Sequence, residues 1–284
     1  MRPSDKEAYR TLLVEWNDRV AWIWARYYVA AAARIRERLL DVAEVKPGDS
    51  VLDVGTATGS AAIAAARRVG ETGRVVGIDT SPKMVKKARE SAAESGLITL
   101  EFHLMDSASL EFVDSSFDAV ISCFGQPETP WDVPTALQEW RRVLVPGGRF
   151  CHCGEADSGD ERFAERFQQV FEKHKVRNPG PGLTATRRLR SLAAKEAKQA
   201  PRWEANLLET AGFAAVRHFT ETFEVTIPAS ASLEPSLMWG MLDEYLAMPP
   251  RVRERFRQEA IKAMRPFETR EVNVAFFVAR RATS

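Results

Sequence analysis

Val51–Ala66 reads VLDVGTATGSAAIAAA. It opens as a short aliphatic run suited to a buried strand, turns on Gly55 and Gly59, and continues as an alanine-rich helix. The turn chemistry of Lys46–Asp49, KPGD, hands the chain to that strand. Outward from here the pattern alternates. RVVGID (74–79) reads as strand and SPKMVKKARESAAESG (81–96) as helix, with Ser81 as N-cap, Pro82 at the first helical position and Gly96 as the stop. LEFHLMD (100–106) and FDAVISCF (117–124) read as strands, TALQEWRRVL (135–144) as helix, VPGG as a turn and RFCHCGE (149–155) as a fifth strand. Helices between strands imply right-handed crossovers, so the core is α/β, doubly wound and mostly parallel.

The flanks complete that plan. Trp16–Leu40 is aromatic and aliphatic at helical spacing, with Arg34, Arg36 and Arg38 forming an outward polar face, and predicts one or two leading helices. After Asp157 the alternation stops for an amphipathic helix (Phe163, Phe167, Val170, Phe171), the turn-rich NPGPG of 178–182 and a basic stretch, together an inserted helical lobe. It resumes with RWEANLLETAG (202–212), a strand around 216–225, a helical region through Arg265 and a closing strand, 271–281. The expected division is a helical lid at 1–45, a ligand-binding core at 46–156, a basic lobe at 157–200 and, at 201–284, the remaining sheet with a further helical segment.

Composition narrows the function classes. At 284 residues and 45% hydrophobic content the chain can bury a large core, yet its apolar runs are too short to span a bilayer. The N-terminus lacks a signal-peptide core, and three cysteines (Cys123, Cys151, Cys153) make no disulfide framework, so a reducing, cytoplasmic setting is expected. Net charge is +1, but Lys173 to Arg202 carries nine basic residues against Glu196 alone.

Glycines between a strand and a helix let a ligand approach the backbone and the helix's unpaired amides. That suits NAD, FAD or S-adenosylmethionine. The dinucleotide pattern of glycines at first, third and sixth positions fails at Ala57 and Ser60. Asp53-Val-Gly55-Thr56-Ala57-Thr58-Gly59 instead has the spacing acidic-x-Gly-x-Gly-x-Gly with only the middle glycine replaced. With Asp79 ending the second strand, Asp106 the third, and FDAVISCF followed by ALQEWRRVLVPGGRF, it resembles the class I S-adenosylmethionine-dependent methyltransferases over Lys46 to Glu155. The N-terminal segment and VLVPGGRF resemble the small-molecule branch that includes ubiquinone and menaquinone biosynthesis methyltransferases.

The resemblance implies a seven-stranded Rossmann-like methyltransferase fold with S-adenosyl-L-methionine as cofactor. It implies that Asp79, beside Thr80, accepts the ribose hydroxyls, and that Asp106 accepts from the adenine amino group with the Ser107 amide nearby. Met84 would pack on adenine. Gly55, Thr56, Ala57 and Gly59 would border the methionine portion, Asp53 would hold the loop or the ammonium group, and Ser122 and Cys123 would lie beneath the sulfonium. An aromatic N-terminal helix closes over the site in that branch, a character matched by Trp16, Trp22, Trp24, Tyr27 and Tyr28.

Methyl transfer is chiefly a matter of positioning, and a base is needed only if the acceptor must lose a proton. The candidates are His152, Glu155, Tyr28 and, in the lobe, His174. Cys151-His152-Cys153 lacks a partner cluster, so no metal is expected. Aromatic flanks favour a flat or hydrophobic small acceptor, and the basic lobe allows an anionic one, methylated on carbon or oxygen. The sequence after the fourth strand, CFGQPETPW, lacks the Asn/Asp-Pro-Pro-Tyr tetrapeptide of base-amine methyltransferases. RNA gripped by the basic lobe stays as an alternative, as do a noncatalytic S-adenosylmethionine-binding protein and an NAD-dependent oxidoreductase.

Overall fold

The computed structural model describes residues 2–97, 99–125, 132–156, 161–175, 188, 191–192, 205–237 and 241–283. Seven strands form one sheet: β1 (Ser50–Val54), β2 (Arg74–Asp79), β3 (Leu100–Leu104), β4 (Phe117–Cys123), β5 (Leu144–Glu155), β6 (Phe213–Thr226) and β7 (Thr269–Arg281), in the order β3-β2-β1-β4-β5-β7-β6. The first five pair in parallel, and β7 runs antiparallel to both β5 and β6. The sheet is therefore mixed rather than wholly parallel. The order reverses between β1 and β4, so the carboxyl end of β1 opens onto the crevice where such sheets take ligands.

VPGG is the main departure inside the core. The chain does not leave the sheet there, since β5 already begins at Leu144, pairs with Phe117, and re-registers between Phe117 and Ala119. Gly147, at φ 75°, absorbs the irregularity.

Alternation along β1 sends Val51 to one apolar layer and Leu52 and Val54 to the other. The first layer contains α3 (Ala33–Val42) and α4 (Ser60–Val69), whose small Ala61, Ala62, Ala65 and Ala66 let the helix lie close on the strands. The opposite layer is centred on α6 (Val133–Val143), with Leu137 and Trp140 fully buried. Between α4 and β3 the chain passes through α5 (Pro82–Ser95), which begins where expected, with Ser81 Oγ accepting the Met84 amide.

A third core caps the carboxyl end of the sheet. The long α1 (Pro3–Ile23) contributes Trp16 and Val20, while α7 (Glu161–His174) contributes Phe167, Val170 and Phe171. The helices between β6 and β7 supply Leu233, Tyr245 and Phe256, the last set edge-on to Phe167 and Phe171 at 6.0 and 5.6 Å. Met84 and Ala57 touch this cap core too, which seats it directly over the glycine turn.

Most of the inserted lobe read from the sequence, including Arg177, Arg187, Arg190, Lys195, Lys198, Arg202 and the 178–182 turn, lies outside the described residues. Of its described cations, Lys175 pairs with Glu172 and Arg188 lies 3.6 Å from Asp5. Among the described residues no helix is long and apolar enough to cross a membrane.

Candidate active site

Gly55, Ala57 and Gly59 all take positive φ, at 65°, 49° and 85°. The three alternate positions of the motif thus share the left-handed backbone for which glycine is the natural choice, and Ala57 adopts it with a side chain. What holds Ala57 there is its amide, which donates to Asp79 Oδ2 at 2.9 Å. Asp79 Oδ1 accepts the Ser81 amide at 2.9 Å, and the Thr80 amide also points at the carboxylate. One side chain at the end of β2 therefore fixes both the turn after β1 and the start of α5. Burial raises the Asp79 pKa, opposed by those amides.

Removing the Ala57 methyl group should relieve the left-handed strain. Ala57→Gly is expected to stabilise the fold by about 1 kcal/mol, the strain relieved exceeding glycine's entropic cost. Urea unfolding checks this, and a loss of stability would mean that the turn does not hold its left-handed φ in solution.

Asp53 faces the same layer as Val51, beneath α3 and α4, and is fully buried. Its Oδ2 accepts Thr56 Oγ1 at 2.7 Å, while Oδ1 has no hydrogen-bond partner among the described residues. Desolvation lifts its pKa to about 7, against the pull of Thr56, of the Ala62 amide and of Arg36. Arg36 departs from the expected outward face. It is 8% exposed while Arg34 stays exposed and Arg38 half-buried, because α3 buries Ile35, Arg36, Leu39 and Leu40 as one stripe.

Asp53 and Arg36 line one small cavity with Gly55, Thr56, Ala57, Ser60 and Cys123, and its far wall is Trp24, Tyr28, Val29, Ala32 and Phe124. The wall exists because the chain widens into a π-helical turn at Trp24–Tyr28, with the Val29 amide reaching back to the Trp24 carbonyl. Trp24 and Tyr28 then lie with rings 4.5 Å apart. The other aromatics of the segment separate: Trp16 enters the cap core and Trp22 is 51% exposed.

The remaining predicted site residues divide by strand alternation. Cys123 lies in register with Cys153, their sulfurs 3.8 Å apart, on the face toward Arg36. Ser122 and His152 pair on the opposite face, Ser122 Oγ closing onto the Gly125 carbonyl and the His152 ring lying against Phe277. His152 is 1% exposed, does not line the cavity, and is held neutral by burial with a pKa of about 3. Glu155 is exposed at the end of β5, and the Tyr28 phenol, walled in, is pushed to about 12. After β3, Asp106 is exposed with Oδ1 accepting the Ala108 amide, the Ser107 carbonyl accepts from Trp140 Nε1, and Met84 is buried beneath α1.

The helix α1 is latched across this end of the sheet. Asp18 Oδ1 accepts Ser81 Oγ at 2.5 Å and the Lys83 amide at 3.1 Å, and Arg10 meets Asp132 at 2.6 Å. Ser81 thereby joins the lid to Asp79 through its own amide.

The geometry fits a ligand with a diol to offer Asp79 and a cation to offer the orphaned oxygen of Asp53. Comparison with known proteins shows the family. A family model described as a methyltransferase domain matches residues 51–148. The chain is 33% identical over 217 residues to nocamycin O-methyltransferase from Saccharothrix syringae, covering 76% of this chain and 77% of that one. It is 28% identical over 186 residues to the ubiquinone/menaquinone biosynthesis C-methyltransferase UbiE of Teredinibacter turnerae, covering 64% of this chain and 74% of the relative. Among solved structures, the YcgJ protein of Bacillus subtilis superposes with a TM-score of 0.52 at 16% identity over 88% of this chain and 98% of that one, a likeness of fold.

Proposed function

The chain belongs to the class I S-adenosylmethionine-dependent methyltransferases, and from that premise we propose that it methylates an oxygen of a small, flat, largely hydrophobic acceptor seated against Trp24, Tyr28, Val29 and Phe124. The observation that carries this reading is the composition of the cavity wall. Opposite the glycine turn stand two aromatic rings and aliphatic side chains from the N-terminal segment, not a row of cations. The O-methyltransferase matched over 76% of this chain supports oxygen as the accepting atom.

When bound, the cofactor supplies a methyl group activated by the adjoining sulfonium. The chain's own residues do the rest by placement. Asp79 would accept the ribose hydroxyls as well as the amides that shape the turn. Asp106 and the Ser107 amide would meet adenine, with Met84 against its face, and Asp53 Oδ1 would take the ammonium group. The cap and α1 exclude water from the reacting end. Tyr28, with its phenol at about 12, keeps its proton at neutral pH and acts as a donor that holds an already ionised oxygen, not as the base. His152, buried on the face of the sheet away from Cys123 and not lining the cavity, is given no part in the transfer.

Incubation with methyl-labelled S-adenosylmethionine and panels of phenols, enols and carboxylic acids tests the proposal by S-adenosylhomocysteine release and the mass of the product. A label found on carbon, or turnover on RNA with none on small acceptors, would overturn it. Tyr28→Phe is expected to lower kcat/KM for the acceptor about tenfold, one hydrogen bond to a charged oxygen, while cofactor affinity stays unchanged. An unaltered kcat/KM would remove Tyr28 from the acceptor site.

A further inference from the structure

We propose that Arg36 grips the carboxylate of the cofactor's amino-acid end, so that Arg36 and Asp53 together read that end as a zwitterion. This rests on the cofactor placement given above and adds a residue that the glycine motif does not contain.

The argument begins with an unbalanced charge. A guanidinium presents five N–H donors in a rigid fork, and burying one without matching acceptors is costly. Arg36 is 8% exposed, yet its one hydrogen bond among the described residues runs from Nη2 to the carbonyl of Val29. No carboxylate of the described residues lies within ion-pairing distance of it. Nearby arginines differ: Arg38 holds Glu221 bidentately, Arg68 of α4 bridges Glu37 and Asp41, and Arg34 is exposed to solvent. Arg36, buried without an ion-pair partner among the described residues, lines the cavity.

The second observation is the matching deficit of opposite sign. Asp53 Oδ1 is buried in the same cavity without a partner among the described residues, and it is not bonded to Arg36. A cation and an ionisable carboxyl that share an enclosed space, each short of partners and not joined to each other, are complementary to a ligand carrying an ammonium and a carboxylate on one carbon. An α-amino acid group is that ligand. A neutral or purely anionic ligand end would satisfy one of the two and leave the other buried alone.

The test compares S-adenosylhomocysteine with 5′-methylthioadenosine, which keeps adenine, ribose and sulfur but lacks the amino-acid group. Calorimetry on the native chain, Arg36→Met and Arg36→Lys separates the roles. Arg36→Met is expected to weaken S-adenosylhomocysteine by about tenfold to a hundredfold and leave 5′-methylthioadenosine unchanged, with Arg36→Lys in between. Unchanged methylthioadenosine binding also shows that the variant is folded. Equal S-adenosylhomocysteine affinity in all three, or equal losses for both ligands, would overturn the assignment while leaving the cofactor site in place. Failure of the native chain to bind S-adenosylhomocysteine would instead overturn the cofactor placement, and this inference with it.

Discussion

Asp79→Ala is expected to weaken both S-adenosylhomocysteine and 5′-methylthioadenosine by at least about a hundredfold, because two hydrogen bonds to a charged carboxylate are lost at once. The size of the effect has a second source in the structure. Asp79 Oδ2 also holds the amide of Ala57 in its left-handed conformation, so removal of the carboxylate frees the turn that borders the methionine end. Asp79→Asn separates these contributions: it keeps the volume but places an NH₂ group where donors already point. Calorimetric titration with the two ligands is decisive, since an Arg36 substitution spares methylthioadenosine and an Asp79 substitution does not. If Asp79→Ala binds either ligand with native affinity, the ribose does not lie at the end of β2.

The parts of this site that the sequence discloses are those with a local cause. Val51, Leu52 and Val54 announce a strand, Gly55 and Gly59 a turn with positive φ, and Ser81-Pro82 a helix start, because each depends on neighbours within a few residues. Asp53 and Asp79 are singled out by the resemblance to the methyltransferases, not by local pattern alone. Arg36 is harder to read: arginines at 34, 36 and 38 look like a polar side, but Leu39 and Leu40, three and four residues beyond Arg36, put it on the buried stripe. That signal was present in the sequence. The π-helical turn at Trp24–Tyr28 was not, since nothing local distinguishes it from continued α-helix. His152 illustrates a third case. Its alternation with Cys151 and Cys153 fixed which face it takes relative to them, but only the position of α3 tells which of the two faces carries the cavity.

Cofactor affinity is expected to depend on pH through Asp53. Its pKa is raised from 3.8 to about 7, so without ligand the carboxyl is about half protonated at neutral pH. The cofactor's ammonium group is complementary only to the ionised form. Below about pH 7 a proton must leave before the ligand is held, and the affinity for S-adenosylhomocysteine should fall by up to tenfold for each further unit of pH. Above that it should level off. The sign for the ligand-free fold is the reverse: a raised pKa favours the protonated native state, so this group's contribution is fully present below about pH 4 and lost as the pH rises through about 7, a change on the order of 4 kcal/mol from a shift of roughly three units. S-adenosylhomocysteine should therefore raise Tm more at pH 8 than at pH 6. Asp53→Asn, which cannot ionise, is expected to flatten the binding profile and to weaken binding most at high pH, and methylthioadenosine, without an ammonium group, should show a flat profile on the native chain. A native profile for S-adenosylhomocysteine that is level from pH 5.5 to 8.5 would mean that Asp53 is already ionised in the free protein, and that its unpartnered oxygen is not reserved for a cation.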